Sequence, residues 1–467
     1  MAGTRHRPAD PLDADGCRAR AVPVAPGYTV IGMLPAARRD RLGLMTGLAG
    51  QFGDAVRFTI GPRPFYFFNH PDHVRHILID NSANYHKGIG LIQARRALGQ
   101  GLLTSDGASA RRQRRAMAPA FGRQHVPDFA AAVSAAAQDL LAWLSRQVDQ
   151  GPADVTGELR QLTLRVLGRS LLGRDLAPVR PISNAFDVVQ DQAMYEVLTL
   201  GLVPHWLPLP RNVRFRQARR LLNDVVSGLL PDRAAAADDA QHRDDLVGRL
   251  CSASQEPAGG VAQSDQLRDE LLTVLLAGHE TTASTLGWTW HLIDQHPDTA
   301  GRLRAEAGRV LSDRLPGIAE VEELRYTKAV VLESLRLFPP VWLLSRRAVA
   351  PDVVDGYHVP SGADVLLSPF TLHRHPAFWV DPERFDPGRF ADGEISDAQR
   401  QAYLPFGVGP RACIGSTLGL LETTLVTAMI AREYTLRSVP GRQPVPEAML
   451  SLRPAGGLYT VARHADP

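Results

Sequence analysis

Chemistry in this 467-residue chain concentrates in one loop, Phe406-Gly407-Val408-Gly409-Pro410-Arg411-Ala412-Cys413-Ile414-Gly415, where glycines and a proline lead into a cysteine just before a helical run. Glycine lets backbone N–H groups approach a sulfur, and a helix start beneath it adds positive potential, so a thiolate is favoured over a thiol. Such a sulfur suits a metal. Taken by itself, however, Cys413 also fits the buried structural thiol that is the usual state of a free cysteine.

A second chemical segment is Ala277-Gly278-His279-Glu280-Thr281-Thr282, inside an apolar helical run from about Asp265 to Gln295 that spans roughly 45 Å. Gly278 removes a side chain where a flat ligand or dioxygen must approach, and Glu280 with Thr281 sets an acid beside a hydroxyl. In isolation these threonines would bond back to the previous turn, and Glu280 would form a surface ion pair. His279-Glu280 also begins a zinc-protease motif, but the required second histidine is replaced by Ala283. The third segment, Glu333-Ser334-Leu335-Arg336, places an acid and an arginine at i and i+3 on a helix ending before Pro339-Pro340. Its flanks Val330, Val331, Leu332, Leu335 and Leu337 bury much of that helix.

Apolar spacing at three and four predicts the positioning helices: Val133 to Val148, Leu159 to Leu172, Phe215 to Leu230, Leu267 to Ile293, Ala329 to Leu337 and Thr417 to Ile430. A β-hairpin is expected between Ala55 and Asn69 around Gly61-Pro62, with further strands at Val353 to Val359, Val365 to Ser368 and Leu458 to Val461. The class is mainly α with a minor β portion. Residues 1–25 read as a mobile N-terminal arm and 26–467 as a single domain. Pro-rich stretches at Val203 to Pro210 and Pro376 to Phe390 are expected to be packed; the first could line a pocket or lie against a surface. A 44% hydrophobic, 22% charged composition excludes a disordered or collagen-like chain. Cys17, Cys251 and Cys413 are too few and scattered for a disulfide framework, so a reducing, cytoplasmic location is expected. No run approaches a membrane span. All but two of the 52 basic residues are arginine, yet the net charge is only +3, which argues against nucleic-acid binding.

Phe406, Gly407, Gly409, Arg411, Cys413 and Gly415 stand at the spacings of the haem-binding signature of the cytochrome P450 superfamily, and from about Pro26 onward the chain resembles a soluble bacterial-type member. The resemblance implies a fold enclosing haem b, with Cys413 as the axial thiolate on iron and Arg411 on a propionate. It makes Glu280 and Thr281 the acid–alcohol couple that delivers protons to dioxygen. Glu333 and Arg336 match the Glu-x-x-Arg element, completed by Arg389 as a buried structural triad. Arg114 takes the arginine position of the Trp-x-x-x-Arg helix, although Ala110 replaces the aromatic residue. Arg347, favoured over Arg346 by its spacing to Asp352, is the other expected propionate partner. Arg111, Arg112 and Arg115 are left to a solvated face, towards which an acidic ferredoxin would be steered.

The same resemblance suggests Leu91, Trp206, Ala277, Val341, Trp342, Leu343 and Leu458 as pocket residues. Nearly all are apolar, so a neutral hydrophobic substrate is expected, a terpenoid in preference to a polyketide or fatty-acid-like compound of secondary metabolism. The implied activity is monooxygenation, in one or several steps, by a monomer using O2. With neither a dinucleotide fingerprint nor a flavin domain in the chain, electrons should come from a separate ferredoxin and ferredoxin reductase. The alternatives are a haem-thiolate isomerase or dehydratase, which would not need Glu280 and Thr281, and a non-catalytic haem ligand sensor.

Overall fold

A computed structural model of the chain describes residues 19–27, 31–173, 175–176, 179–199, 203–204, 206–229, 246, 261–391 and 395–465. Cys17 and Cys251 lie outside the described residues. The central element is one helix of 35 residues, Val261–Gln295, about 52 Å long at 1.5 Å per residue. It is buried on most of its faces and packs against the helices Val155–Leu171, Pro210–Leu229, Arg325–Leu337 and Ser416–Glu433. It stops at His296 because Pro297 disfavours a helical residue before it; Pro297 then opens the next helix, Pro297–Val310. Leu286, Trp290, Leu425, Val426 and Leu140 share one apolar cluster among these helices.

The six periodic segments are helical, each beginning earlier than its first apolar repeat suggests. A further helix, Val179–Leu198, buries Ile182, Ala185, Phe186, Val189 and Ala193 against the same bundle. Gly278 has a different purpose from the one read in the sequence. A Cβ there would lie 2.8 Å from the Leu167 side chain, so the glycine admits the neighbouring helix Val155–Leu171.

The minor β portion is led by a five-stranded sheet in the order Ala55–Ile60, Arg63–Phe68, Asp364–Leu367, Leu344–Ala348, Tyr85–Lys87. The first two strands form the expected hairpin, with Gly61 at φ 56° in its turn. Register here decides chemistry. Lys87 pairs with Arg346 and His86 with Arg347, while Arg346 and Arg347 oppose Val365 and Asp364. Opposite residues share a sheet face, so Arg346 and Arg347 project to different sides.

Packing begins before Pro26. Val22 and Ala25 are buried, Arg20 bridges to Tyr357, and Val24 bridges to Arg57. The expected arm boundary at residue 25 therefore falls too late, because two short apolar residues and isolated β-bridges left no periodic signal. Residues 1–18 lie outside the described residues. Among the described residues, no helix is long and apolar enough to cross a membrane.

Candidate functional site

The cysteine loop is built around backbone geometry. The Cys413 N–H donates to the Phe406 carbonyl at 2.8 Å, closing the loop, and Gly415 caps the helix Ser416–Glu433. Gly409 sits at φ 74°, and a Cβ there would come within 2.2 Å of the Leu78 carbonyl oxygen, so only glycine fits. Phe406 is half-buried, as is Gly415, and the Phe121 ring lies beside Gly415. Cys413 is exposed to contact yet walled on most sides, as befits a thiol on the floor of a recess. Burial pushes this thiol up, outweighing the Gly415 N–H and the Arg114 charge that pull it down. The loop alone therefore does not secure the expected thiolate; coordination to a cation deprotonates a thiol outright.

Beside the loop lies an excess of positive charge. Lys87, Arg95, Arg346 and Arg411 gather around Asp106, which accepts the Lys87 backbone N–H at 3.1 Å and pairs with Arg411 at 3.3 Å and Arg95 at 3.9 Å. Burial and the neighbouring arginines pull Lys87 down to about 7. Arg346 is buried and pulled down to about 10, chiefly by burial and then by Arg411; its Nε has no partner and its Nη1 reaches only the Ser345 carbonyl. A buried guanidinium with an orphaned Nε among surplus cations fits the carboxylates of a haem, with Cys413 available to its iron.

Arg347 does not take part in this cluster. It projects from the other side of the sheet and pairs with Asp364 at 3.1 Å, alongside Arg63. The spacing argument placed the charge one residue too far along, and strand alternation assigns the inward position to Arg346. Arg346→Leu is accordingly expected to weaken haem retention by ~10-fold or more, as for loss of a hydrogen bond to a charged group. Arg347→Leu should retain haem normally; the haem-to-protein ratio after desalting compares them.

Arg114 donates to the Ala412 carbonyl at 2.7 Å and so braces the cysteine loop, whereas Arg111, Arg112 and Arg115 on the same helix, Gly107–Met117, are exposed. Arg411 also donates to the Ser82 carbonyl at 3.3 Å. Ala110, half-buried, offers no donor where an aromatic residue was expected.

Above the loop, the long helix presents one open stripe. Leu271 to Leu276 and Thr282 to Ile293 are buried, but Ala277 is exposed and Gly278 and Thr281 are half-buried. Ala277 and Thr281, four apart, share a face. Thr282 Oγ1 lies 4.0 Å from the position of a Cβ on Gly419, so the long helix crosses the helix Ser416–Glu433 one turn beyond its start. Ile414 packs in the same apolar cluster as Leu276. The Thr281 hydroxyl donates back to the Ala277 carbonyl at 2.6 Å, which fixes its oxygen at the open stripe.

Glu280 turns to another face of the helix. It accepts from Ser451 at 3.2 Å and lies 3.7 Å from Arg160, and its second oxygen is buried without a partner. Arg160 bonds Asp187 at 3.0 Å; Asp187 also pairs with Arg453 at 2.8 Å, which holds Glu447 at 2.7 Å. Burial pushes Asp187 up, and the Glu280 charge adds to that rise. His279 is buried and pushed down to about 3, hence neutral, with its Nε2 3.0 Å from Ser183 Oγ.

The three triad residues come together in the core. Arg336 grips both oxygens of Glu333 at 2.7 and 2.8 Å, with both side chains fully buried, and Arg389 approaches Glu333 at 3.5 Å. Burial pushes the Glu333 carboxyl up, and Arg336 with the Asp386 N–H works against that rise.

The pocket expectations divide. Leu91 and Leu343 are half-buried, Val341 is 37% exposed, and Ala277 lies on the open stripe. Trp342 is instead a core residue whose indole N–H donates to the Met449 carbonyl at 2.8 Å. Leu458 is buried in the main helical cluster, and its backbone ties to Thr156 and Val155. Trp206 is 77% exposed and belongs to none of the apolar clusters among the described residues. Leu450 was missed: half-buried, it shares the apolar cluster of Ile414, Leu102 and Leu103. Its signal would have been the short hairpin Val445–Ala448 with Leu452–Ala455, whose turn carries Leu450.

An exposed cysteine beneath a long helix with an accessible threonine, beside unmatched buried cations, defines a haem-thiolate protein. The sequence matches the cytochrome P450 family over residues 22–461, and the chain belongs to that family. It is a haem-thiolate monooxygenase. Among its relatives, cyclooctatin synthase of Streptomyces melanosporofaciens is 37% identical over 86% of each chain. Cyclooctat-9-en-7-ol 5-monooxygenase of the same organism is 35% identical, covering 89% of this chain and 90% of the relative. Pentalenene oxygenase of Streptomyces avermitilis is 32% identical, covering 92% and 94%.

Proposed function

We propose that this monooxygenase hydroxylates a neutral terpenoid, with repeated oxidation at one carbon open to it, and takes electrons from a separate ferredoxin and its reductase. Apolar packing carries the reading: Leu102, Leu103, Ile414 and Leu450 pack against the cluster that contains Leu276, and Ala277 lies on the open stripe, so these residues offer shape and no charge. Relatives named for cyclooctat-9-en-7-ol and pentalenene support the same class.

Haem bound at Cys413 supplies O2 activation and oxygen insertion. This chain's residues do the rest. Apolar side chains orient the substrate and exclude water. The Thr281 oxygen, fixed by the Ala277 carbonyl, holds a hydrogen-bonding position in an otherwise apolar stripe. Glu280, which accepts from the Ser451 hydroxyl and is joined to Asp187 through the fixed charge of Arg160, is the carboxylate that would relay protons. Exposed Arg111, Arg112 and Arg115, on the helix that braces the cysteine loop, offer an acidic ferredoxin a landing face.

With a ferredoxin, its reductase and a turned-over terpenoid, Thr281→Ala should keep consuming NADPH while product per NADPH falls by ~10²-fold, the low end for a positioned proton-transfer group. Intact coupling would remove Thr281 from proton delivery. Neutral terpenoids should shift the haem from low to high spin, and a response to charged compounds alone would overturn the substrate class.

A further inference from the structure

We infer that Asp269 and Glu270 of the long helix are positioning residues: they lay the irregular segment 99–105 against that helix and so set where Leu102 and Leu103 meet the substrate, an assignment that rests on the neutral-terpenoid reading above. Residues 99–105 form neither helix nor strand, so the N–H groups of Gln100 and Leu102 need acceptors from elsewhere. The long helix supplies them. The Gln100 N–H donates to Asp269 at 2.7 Å and the Leu102 N–H donates to Glu270 at 2.8 Å, with both carboxylates buried. A Cβ on Gly101 would lie 2.2 Å from Thr273 Oγ1, so the segment meets the next turn of the same helix with no side chain between them. Leu102 and Leu103, both half-buried, then face the apolar cluster that contains Leu276.

Leu102 is held on its other side as well, because Lys87 Nζ donates to its carbonyl at 2.5 Å. The second Glu270 oxygen accepts from Gln266 at 2.8 Å. An ionised carboxylate accepts both bonds at full strength, whereas a carboxylic acid carries its proton on one of the two oxygens. Burial pushes Glu270 up to about 7; the Leu102 N–H and Gln266 oppose that rise, Asp269 adds to it, and Lys87 from the strand Tyr85–Lys87 works against it. Arg268 is turned to Asp265 at 2.8 Å and Asp269 at 3.0 Å, while Asp106, Arg346, Arg411 and Arg95 surround Lys87. As pH falls, Glu270 takes up a proton and loosens its hold on Leu102. Lys87, pulled down to about 7, gains charge over the same interval and tightens its own bond, so a loss of grip on acidification belongs to Glu270.

Hydrogen–deuterium exchange of the holoenzyme reads the hold directly. Peptides covering 99–105 should exchange ~10-fold faster or more in Glu270→Leu, and near the wild-type rate in Glu270→Gln, whose amide oxygen still accepts from Leu102. Spin-state titration with farnesol and geranylgeraniol should show a Kd weakened by ~10-fold or more in Glu270→Leu and largely restored in Glu270→Gln. From about pH 8 to about pH 6 the wild-type affinity should fall, and Glu270→Gln should lack that fall. Imidazole, which binds the iron and needs no contact with Leu102, should bind wild type and both variants alike. Should Glu270→Leu not fold, Asp269→Ala takes its place, with exchange read at Gln100. Wild-type exchange and affinity in the leucine variant, the same acid loss in the glutamine variant, or an equal loss of imidazole binding would overturn the assignment. If neither terpenoid shifts the wild-type haem, the substrate reading fails, and exchange at 99–105 alone decides whether the two carboxylates hold the segment.

Discussion

Cys413→Ala is expected to abolish the thiolate-type absorption of the reduced carbon monoxide complex and to reduce monooxygenation to background, while the fold persists. The reason lies in what holds the loop. Its closing bond runs from the Cys413 backbone N–H to the Phe406 carbonyl, its bend depends on Gly409 beneath Leu78, and its far side is braced by Arg114 on the Ala412 carbonyl. None of these uses the sulfur. The side chain stands exposed in the recess, so alanine leaves no closed cavity in the core, and the urea midpoint of the apoprotein should move by less than ~1 kcal/mol equivalent, as at sites away from packed or paired groups. Loss of the spectrum with loss of the fold would make Cys413 a structural thiol. An unchanged spectrum would remove it as the ligand.

Much of this was legible because it depended on local order. The cysteine loop, the Glu333–Arg336 pair and the Ala277–Thr282 segment each lie within one turn or loop, so spacing carried the geometry. The cation assignment was not local. Arg346 and Arg347 differ only in the face of a strand, and that face is set by pairing with Tyr85–Lys87 and Asp364–Leu367, distant in the sequence. Glu280 and Thr281 read as a unit in sequence, yet adjacent helical residues point about 100° apart, so one meets Ser451 and the other the open stripe. Gly278 shows the same gap: its role depends on Leu167, more than a hundred residues earlier. Trp206 and Leu458 were placed by analogy of position, and burial moved one to the surface and the other to the core. The helix Val179–Leu198 did carry its signal, with Ile182, Ala185, Phe186, Val189 and Ala193 at helical spacing.

The largest loss of stability is expected at Arg336, because its guanidinium holds more than its ion pair. Beyond the two bonds to Glu333, it donates to the carbonyls of His373 at 3.0 Å, Pro382 at 2.6 Å and Arg384 at 3.0 Å. It thereby ties the helix Arg325–Leu337 to the chain before the cysteine loop. His373 extends the tie: its Nδ1 lies 3.1 Å from the Arg336 carbonyl and its Nε2 accepts the Leu404 N–H at 2.8 Å, two residues before Phe406. Burial pushes His373 down to about 3, so it stays neutral and its Nε2 stays an acceptor at neutral pH. Arg336→Met should lower unfolding free energy by about 3–5 kcal/mol, the loss when one partner of a buried pair is removed. Haem incorporation should fall with it, since Leu404 loses its register. Replacing both charges, as Glu333→Leu with Arg336→Met, often restores stability where a pair has no other bonds. Here three carbonyls and the Asp386 N–H would remain without partners, each at about 1–3 kcal/mol, so the double variant should stay well below wild type. Urea midpoints and slopes for the two variants decide the matter: recovery of wild-type stability in the double variant would reduce Arg336 to a counter-ion of Glu333.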